Sequence, residues 1–233
     1  MGTSLVRLNK ALKELGLASR REGDELIQKG CVTVNGIEIT EPWYRVDLAR
    51  DSISLTSRGE DILHNKKYIA YYKPVGVTCT FSQEEGESLG TILPFSQALS
   101  YAGRLDKESE GLMILSDDGR FIAGVTDPER EKEKEYMVNV EEQVHEGALR
   151  KMRRGMTLKG ERLKEAKVRK TGPHSFSIIL TEGKNRQIRR MASKVGLTVT
   201  GLKRTRIGGV TLKGLLPGQW RELTKKEISV LLQ

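Results

Sequence analysis

The stretch of residues 103–119, GRLDKESEGLMILSDDG, joins a charged loop directly to a strand that must lie in the interior of a sheet. Its apolar run, Leu112–Leu115, follows a glycine and ends at a DDG sequence whose residue types are typical of turns. A short apolar run bounded in this way indicates a buried strand. Arg104 and Asp106 therefore lie on a loop attached to a rigid scaffold, which is a common position for active-site groups. Taken alone, an aspartate on a loop is more often a solvated turn residue or a helix cap.

The length and composition indicate a globular chain without a membrane partner. A length of 233 residues is enough for one large or two modest domains with a core. The residues are 37% hydrophobic and 30% charged, as in a globular protein. No apolar run approaches the ~20 residues that a helix needs to cross a bilayer. The N-terminus also lacks the apolar segment of a secretion signal. We therefore expect a cytoplasmic protein.

The cysteines and histidines give no indication of a metal site. Cys31 and Cys79 are far apart and flanked by strand-like residues, so we expect small buried thiols in a reducing compartment. The histidines at 64, 145 and 174 do not have the spacing of metal ligands. The sequence therefore predicts that no metal is bound.

The net charge of +9 is distributed unevenly. Residues 1–61 carry nine basic and ten acidic residues, whereas Gly183–Arg221 carries ten basic residues and no acidic one. An ordinary basic helix face interleaves glutamate with lysine, so the absence of acidic residues favours a surface for an anionic polymer. The simplest such partner is nucleic acid.

Residues 5–36 are predicted to form a compact helical module that ends in a hairpin. Leucines at 5, 8, 12 and 15 have helical spacing, and Ser19 with Glu22 forms a capping-box sequence for a second helix that stops at Gly30. Cys31–Val34 has strand character, and the Asn-Gly pair that follows favours a tight turn. Farther on, we interpret Trp43 and Tyr44 as a packed aromatic pair rather than a base-stacking surface.

This pattern, RLNKALKELGLASRREGDELIQKGCVTVNG, resembles the small α-L RNA-binding module named S4 after a small-subunit ribosomal protein. The resemblance implies that the two helices present a basic platform for structured RNA. The alternative is a helical cap that serves only for packing. The predicted RNA contacts of this module are its basic residues on one exposed face, namely Arg7, Lys10, Arg20, Arg21 and Lys29.

We predict two domains, with residues 1–61 forming the N-terminal one, 62–66 a linker and 67–233 the second. The stretch 57–66 is polar, contains a glycine and lacks periodicity, which favours a linker. In the second domain, helical segments alternate with many strand-like runs, among them a basic helix over 183–195 and a strand over 197–202. The alternating charges of 131–135 are typical of a solvated face. The predicted class is α+β with a mixed or antiparallel sheet.

Three motifs together closely resemble the RsuA/RluB/RluE/RluF group of bacterial rRNA pseudouridine synthases, most nearly its RluF type. They are KPVGV at 73–77, GRLDKESEGLMILSDDG at 103–119 and EGKNRQIRRM at 182–191, with Lys-Glu-Tyr at 134–136 between the last two. The S4-like module belongs to the same layout, so the resemblance covers nearly the whole chain. It implies a pseudouridine synthase domain after the S4-like domain.

The resemblance also implies roles for individual residues. The family's catalytic aspartate falls on Asp106, its active-site tyrosine on Tyr136 and the arginine that pairs with its carboxylate on Arg189. Its base-displacing arginine falls on Arg104, and Ile188 forms an apolar wall.

The remaining predicted substrate contacts are basic side chains of the same domain. They are Lys73, Lys184, Arg186, Arg190, Lys203, Arg204 and Arg206. In one departure from the family, Ser109 stands where relatives commonly have threonine; the serine keeps the hydroxyl group.

The reaction implied is the isomerisation of a uridine to pseudouridine in ribosomal RNA, with large-subunit (23S) rRNA as the expected substrate. Small-subunit (16S) rRNA and tRNA are alternative substrates. Two other functions are alternatives. The chain could be a non-catalytic RNA-binding protein of ribosome assembly, or an RNA hydrolase with Asp106 as general base. The isomerisation has no net redox change or group transfer, so no cofactor is expected. We expect a monomer that binds RNA and not DNA.

Overall fold

The computed structural model describes residues 5–81, 86–94, 99–158 and 160–233, except for the side chain of His64. Contacts divide the chain into two compact units. The first runs as far as Lys67 and includes Asp118–Arg120, and the second consists of Tyr68–Asp117 and Phe121–Gln233. In the described part of the chain, no helix is long and apolar enough to cross a membrane.

The N-terminal unit surrounds its own apolar core with three helices and short strands. Strand β2 pairs with β3 and β5 on either side, and β1 pairs with β4 as a separate ribbon. In chain order the elements are β1 (Val6–Arg7), α1 (Leu8–Glu14), α2 (Arg20–Gln28), β2 (Val32–Val34), β3 (Ile37–Ile39), β4 (Arg45–Val46), β5 (Ile53–Leu55) and α3 (Ser57–His64).

Local signals account for several boundaries in this unit. The predicted capping box is confirmed, because the Glu22 amide donates to Ser19 Oγ over 3.3 Å and Ser19 N donates back to Glu22 Oε2 over 2.8 Å. The second helix ends before Gly30, whose φ of +66° is a left-handed conformation that glycine tolerates. The first helix begins at Leu8 rather than Leu5, because Val6–Arg7 pairs with β4 instead.

Two expectations for this unit are wrong. Residues 57–64, interpreted as part of a linker without periodicity, form α3, which is capped by Thr56 and packs Ile62 and Leu63 against the core. Trp43 and Tyr44 are not a packed pair, since they are 70% and 40% exposed.

The second unit is built on one mixed sheet, which confirms the α+β class. Its order among the described residues is β12-β13-β9-β14-β8-β6-β16, with β15 beside β14 and β7 beside β8. Strands β14 and β8 are parallel, and the other neighbouring pairs are antiparallel. The strands of this sheet are β6 (Tyr68–Lys73), β7 (Ser100–Tyr101), β8 (Glu110–Ser116), β9 (Lys134–Val140), β12 (Lys167–Gly172), β13 (Ser175–Leu180), β14 (Val199–Ile207), β15 (Val210–Thr211) and β16 (Trp220–Glu222). Strands β10 (Thr157–Leu158) and β11 (Glu161–Arg162) pair with each other as a separate ribbon.

The helices of this unit cover both faces of the sheet. They are α4 (Leu89–Ile92), α5 (Gly119–Thr126), α6 (Glu146–Arg153), α7 (Gln187–Lys194) and α8 (Lys225–Leu232). Along β8, Met113 and Leu115 enter one core, and Leu112 and Ile114 enter the other. The run 112–115 is therefore the buried strand that its sequence predicts, because both of its faces are covered.

The basic helix and the strand after it have other bounds than predicted. Helix α7 begins at Gln187, not at 183, because Arg186 has a φ of +49° and cannot continue a right-handed helix. Strand β14 extends to Ile207 because it pairs with β9 as far as Lys134.

The last helix is anchored by a buried carboxylate. Glu227 accepts two hydrogen bonds from the Arg221 guanidinium, over 2.9 and 2.8 Å, and forms a capping box with Thr224. The hydrogen bonds from Arg221 lower the pKa of Glu227 from its usual 4.5 to about 2.

Glu227→Gln is expected to lower the free energy of unfolding at pH 7 by about 2–3 kcal/mol. Because the pKa is lower in the folded state, the stabilisation is present above about pH 5 and is lost as the pH falls toward 2. Chemical denaturation of wild type and variant at several pH values between 2 and 7 measures this. Glu222→Gln, on an exposed side chain of the neighbouring strand, is the control. Equal acid dependence in wild type and Glu227→Gln would contradict the prediction.

Candidate active site

Asp106 lies on the loop between β7 and β8, and three groups outside the loop hold the backbone around it. Arg204 donates to the carbonyls of Gly103 and Arg104 over 3.2 and 3.4 Å. Cys79 Sγ lies 3.2 Å from the Leu105 carbonyl oxygen and 3.4 Å from its amide nitrogen. The amide of Gly76, from the KPVGV motif, donates to the Lys107 carbonyl over 2.8 Å.

The Asp106 side chain remains accessible on this fixed backbone. Asp106 is the first residue of a turn in which the Ser109 amide donates to the Asp106 carbonyl over 3.0 Å. About 30% of the side chain is exposed, so the carboxylate can meet a ligand without being fully solvated. The Asp106 loop is therefore attached to a rigid scaffold, as the sequence predicts.

A second loop, residues 182–186, faces this carboxylate. Gln187 is buried at the first position of α7, where its side chain accepts from the Lys184 amide over 3.0 Å and donates to Glu182 over 2.7 Å. These two bonds fold the loop back on the helix start. Arg186 follows in the left-handed conformation, which is uncommon for a residue other than glycine.

The ion pair of Asp106 is made by Arg186, not by Arg189 as predicted. Arg186 Nη1 lies 3.8 Å from Asp106 Oδ2 and 3.0 Å from Glu108 Oε2, and its hydrogen bond lowers the pKa of Glu108. The Arg189 guanidinium donates instead to the Val199 carbonyl, the Glu108 carbonyl and Ser109 Oγ, over 3.1, 3.2 and 3.4 Å. Arg189 therefore ties helix α7 to the Asp106 loop and to β14.

Asp106 and Arg186 line one cleft of about 610 Å³, a volume within the usual range for a ligand pocket. The cleft brings together Arg104, Asp106, Tyr136 and Ile188, as the sequence predicts. Tyr136 lies on β9 at the centre of the sheet and is mostly buried, as is Ile188 at the start of α7. Arg104 is exposed at the surface of the cleft.

Several basic residues predicted as substrate contacts have other partners. Lys73 is fully buried, and its Nζ donates to the carbonyls of Pro74 and Val77 over 2.7 and 2.8 Å, so it closes the KPVGV turn. Burial lowers its pKa. Arg206 forms ion pairs with Glu133 and Glu135, over 3.1 and 2.9 Å. These two predictions are wrong, because neither cation is free on the surface.

Arg204 is also buried rather than exposed to substrate. Its Nε donates to the Leu112 carbonyl over 2.7 Å, in addition to its two bonds to the Asp106 loop. A guanidinium carries five donors in a fixed fork, which suits a junction of several carbonyls. Arg204 therefore joins β14, β8 and the loop that carries Asp106.

The other predicted contacts differ in exposure. Lys184 lines the cleft and forms ion pairs with Glu161 and Glu182, over 2.5 and 3.6 Å. Lys203 lies with its Nζ 4.8 Å from the centre of the Tyr72 ring. Arg190 is half-buried on α7.

Lys134 is a residue of the cleft that the sequence analysis missed. It lines the cleft on the same strand as Tyr136, and burial lowers its pKa. The charge alternation of 131–135 was interpreted as a solvated face, which is wrong for this position. The available signal was strand periodicity, since residues two apart on a strand share a face.

In the N-terminal unit, the five predicted RNA contacts have exposed side chains. Lys10 forms an ion pair with Glu14 over 3.3 Å, one turn later on α1. Their positions are compatible with the predicted platform.

Comparison with known proteins places this chain in a family. The family model described as RNA pseudouridylate synthase matches residues 67–194, and the S4 domain model matches residues 6–52. The chain belongs to the RNA pseudouridylate synthase family. It is an RNA pseudouridine synthase, an isomerase, with an S4 domain ahead of its catalytic part.

Individual relatives match this pseudouridine synthase over nearly its whole length. The dual-specificity RNA pseudouridine synthase RluF of Escherichia coli (strain K12) is 37% identical, over 97% of this chain and 78% of that protein. The ribosomal large subunit pseudouridine synthase B of Bacillus subtilis (strain 168) is 33% identical, over 97% and 95%. The ribosomal small subunit pseudouridine synthase A of Vibrio cholerae is 32% identical, over 96% and 98%.

The fold has a counterpart among solved structures. A crystal structure of a pseudouridylate synthase matches with a TM-score of 0.71 and 29% identity, covering 97% of this chain and 99% of that one. The fold of this chain is therefore that of a known pseudouridine synthase.

Arg204→Met is expected to destabilise the protein by about 3 kcal/mol, because three carbonyls lose a charged donor in the interior. We also expect kcat to fall at least tenfold, since the Asp106 loop loses its anchor and small displacements of reacting groups are costly. Thermal unfolding and single-turnover kinetics measure the two effects. Arg169→Met, on an exposed arginine of edge strand β12, is the matched control. Wild-type stability and turnover in Arg204→Met would contradict this role.

Proposed function

We propose that this pseudouridine synthase isomerises one uridine of ribosomal RNA, in the large subunit, with the Asp106 cleft as its active site. The observation that carries the proposal is the fixed Asp106 carboxylate, which lies beside Arg186 in a cleft that Tyr136 also lines. The large-subunit assignment is supported by the RluF-type motifs and by the name of the Bacillus subtilis relative. The name of the Vibrio cholerae relative makes small-subunit RNA the second candidate.

The reaction requires three events at one nucleotide. The N-glycosidic bond breaks, the uracil turns, and the ring rejoins the sugar through C5. A stacked base cannot reach a protein carboxylate, so the nucleotide must leave the helix at a cost of a few kcal/mol. A cleft of about 610 Å³ is large enough to receive it. Arg104, exposed at the cleft, is suited to fill the vacated position and pair with phosphate or bases.

Asp106 supplies the reactive carboxylate, as nucleophile or general base. Its charge is favoured by the Arg186 guanidinium at 3.8 Å. Two such charges attract by about 4 kcal/mol at an effective dielectric near 20, before screening by water reduces the effect at a partly exposed pair. Glu108 competes for the same guanidinium at 3.0 Å, so Arg186 divides its charge between two carboxylates.

Tyr136 and Ile188 provide the surface against which the uracil turns. Both are mostly buried and lie on rigid elements, the central strand β9 and the start of α7. An aromatic ring offers a flat face to a pyrimidine, and the phenol hydroxyl is able to exchange a proton in transit.

Asp106→Asn is expected to abolish pseudouridine formation while RNA affinity stays within a few-fold of wild type. The amide keeps the size of the carboxylate but is neither nucleophile nor base, and Asp106 is not a phosphate contact. Pseudouridine mapping of both ribosomal RNAs, in cells that lack this protein and are complemented with wild type or variant, measures the activity. Normal modification by Asp106→Asn would refute the assignment.

The same mapping distinguishes the substrates and the other functions. Loss of one large-subunit site, restored only by wild type, supports the proposal as stated. Loss of a small-subunit site or a tRNA site would move the enzyme to that RNA. Cleavage of RNA at a uridine would indicate a hydrolase, and unchanged modification of all three RNA classes would favour the non-catalytic RNA-binding function.

Arg186 and Arg189 are expected to fail in different ways when replaced by methionine. Arg186→Met removes the cation beside Asp106, so kcat should fall at least tenfold. Its melting temperature should change little because the side chain is about half exposed. Arg189→Met removes three hydrogen bonds, two of them partly buried, and should lower the melting temperature by several degrees. Full activity in Arg186→Met would return the role of carboxylate partner to Arg189.

A further inference from the structure

The β1–β4 ribbon of the N-terminal unit places two arginines opposite each other. Val6 pairs with Val46 and Arg7 with Arg45 in its antiparallel register. Val46 is fully buried and Val6 packs on the same core. Successive side chains on a strand point to opposite faces, so Arg7 and Arg45 project together from the outer face, where both are exposed.

This juxtaposition opposes folding. Directly opposite residues of an antiparallel pair have Cβ atoms about 4.5–5.5 Å apart, and like charges there are destabilising. Some other cations of the unit have carboxylate partners, such as Lys10 with Glu14 at 3.3 Å and Arg50 with Asp47 at 3.7 Å. Among the residues that the structure describes, neither Arg7 nor Arg45 forms an ion pair within 4.0 Å. The ribbon therefore offers an unfilled position for an anion that both guanidiniums can bind.

An exposed tryptophan lies immediately before this ribbon. Tyr44 N donates to the Glu41 carbonyl over 3.0 Å, which closes a turn with Pro42 at its second position and Trp43 at its third. The Leu8 amide donates to the Tyr44 carbonyl over 2.8 Å and fixes the turn to the start of α1. Trp43 is 70% exposed, although tryptophan is highly buried on average. A large flat apolar side chain is thus held in water on a rigid turn, two residues from Arg45.

We propose that Trp43, Arg7 and Arg45 form a nucleotide-binding site in the N-terminal unit. An unpaired base stacks on the Trp43 indole, and a neighbouring phosphate lies between the two guanidiniums. The inference rests on the proposed function only in that the ligand is RNA. It adds Trp43 and Arg45 to the RNA contacts of the S4 domain, and it specifies a single-stranded element, such as a bulge or loop, for this site.

The chemistry of the site favours RNA with an unpaired base over other partners. Stacking on aromatic side chains is available only to bases that have left a helix, and every base has a face for it. Two arginines without carboxylates favour phosphate, which accepts several of their donors at once. An apolar protein surface would cover the indole but would bury two like charges without a counterion.

Fluorescence of Trp43 tests the stacking directly. Trp220→Phe leaves Trp43 as the remaining tryptophan of the chain. In that background, an RNA stem-loop with a single-nucleotide bulge should quench the emission, and the same stem without the bulge should not. Equal quenching by both RNAs, or by neither, would overturn the stacking part of the proposal.

Affinity measurements on variants test the site as a whole. Trp43→Leu should weaken binding of the bulged RNA roughly tenfold, whereas Trp43→Phe, which keeps an aromatic face, should stay within about threefold. Arg7→Gln with Arg45→Gln should reduce the slope of log affinity against log salt by about one. Arg50→Gln, which removes an exposed arginine already paired with Asp47, is the matched control.

The possible results separate this site from the catalytic proposal. Wild-type affinity in Trp43→Leu overturns the site, and so does a loss of binding to ribosomal particles without any loss on naked RNA, since that would indicate a protein partner. Equal losses in Trp43→Leu and Trp43→Phe would also overturn stacking. Pseudouridine formation on the same RNA is measured in parallel. If wild type binds the bulge through Trp43 but modifies nothing, the catalytic proposal fails and this site stands.

Discussion

The Arg204 guanidinium is the interaction on which the catalytic unit depends. It is buried between β14 and β8, and it donates to Leu112 on the strand and to Gly103 and Arg104 on the loop before Asp106. A buried charge destabilises a protein by several kcal/mol unless its donors are satisfied, so the surrounding backbone must keep its position. Gly111 is part of this requirement, because a Cβ there would lie 2.3 Å from the Arg204 carbonyl oxygen.

Features with a local cause could be predicted from the sequence. The Ser19–Glu22 capping box and the end of α2 before Gly30 depend on residues a few positions apart, so a short pattern contains the physics. The run 112–115 was predicted as a buried strand for the same reason. The linker prediction failed at 57–64 because a polar helix of eight residues needs only a small apolar contact, which Ile62 and Leu63 supply.

The candidate site was predictable in its members but not in its contacts. Asp106, Arg104 and Tyr136 were found because the motifs that contain them resemble a family. The ion-pair partner of Asp106 was not predicted correctly. The choice of Arg186 over Arg189 depends on a left-handed backbone at Arg186, which residue spacing does not reveal. The prediction that Lys73 contacts substrate was wrong for a similar reason, because the sequence does not show whether backbone carbonyls or solvent surround a lysine side chain.

The net charge of each unit is a poor guide to the surface through which it binds RNA. The basic segment 183–221 looked like a free surface, yet Arg204 is buried and Arg206 and Arg221 are bound to carboxylates. The N-terminal unit is almost neutral, yet carboxylates such as Glu14, Glu22 and Asp47 are used in a cap and in ion pairs. Among the described residues, Arg7 and Arg45 have no carboxylate partner. The affinity for RNA depends on cations that are exposed and unpaired, because these can contact phosphate and release its counterions. A near-neutral module is therefore able to bind RNA through the cations that are exposed and unpaired on one face.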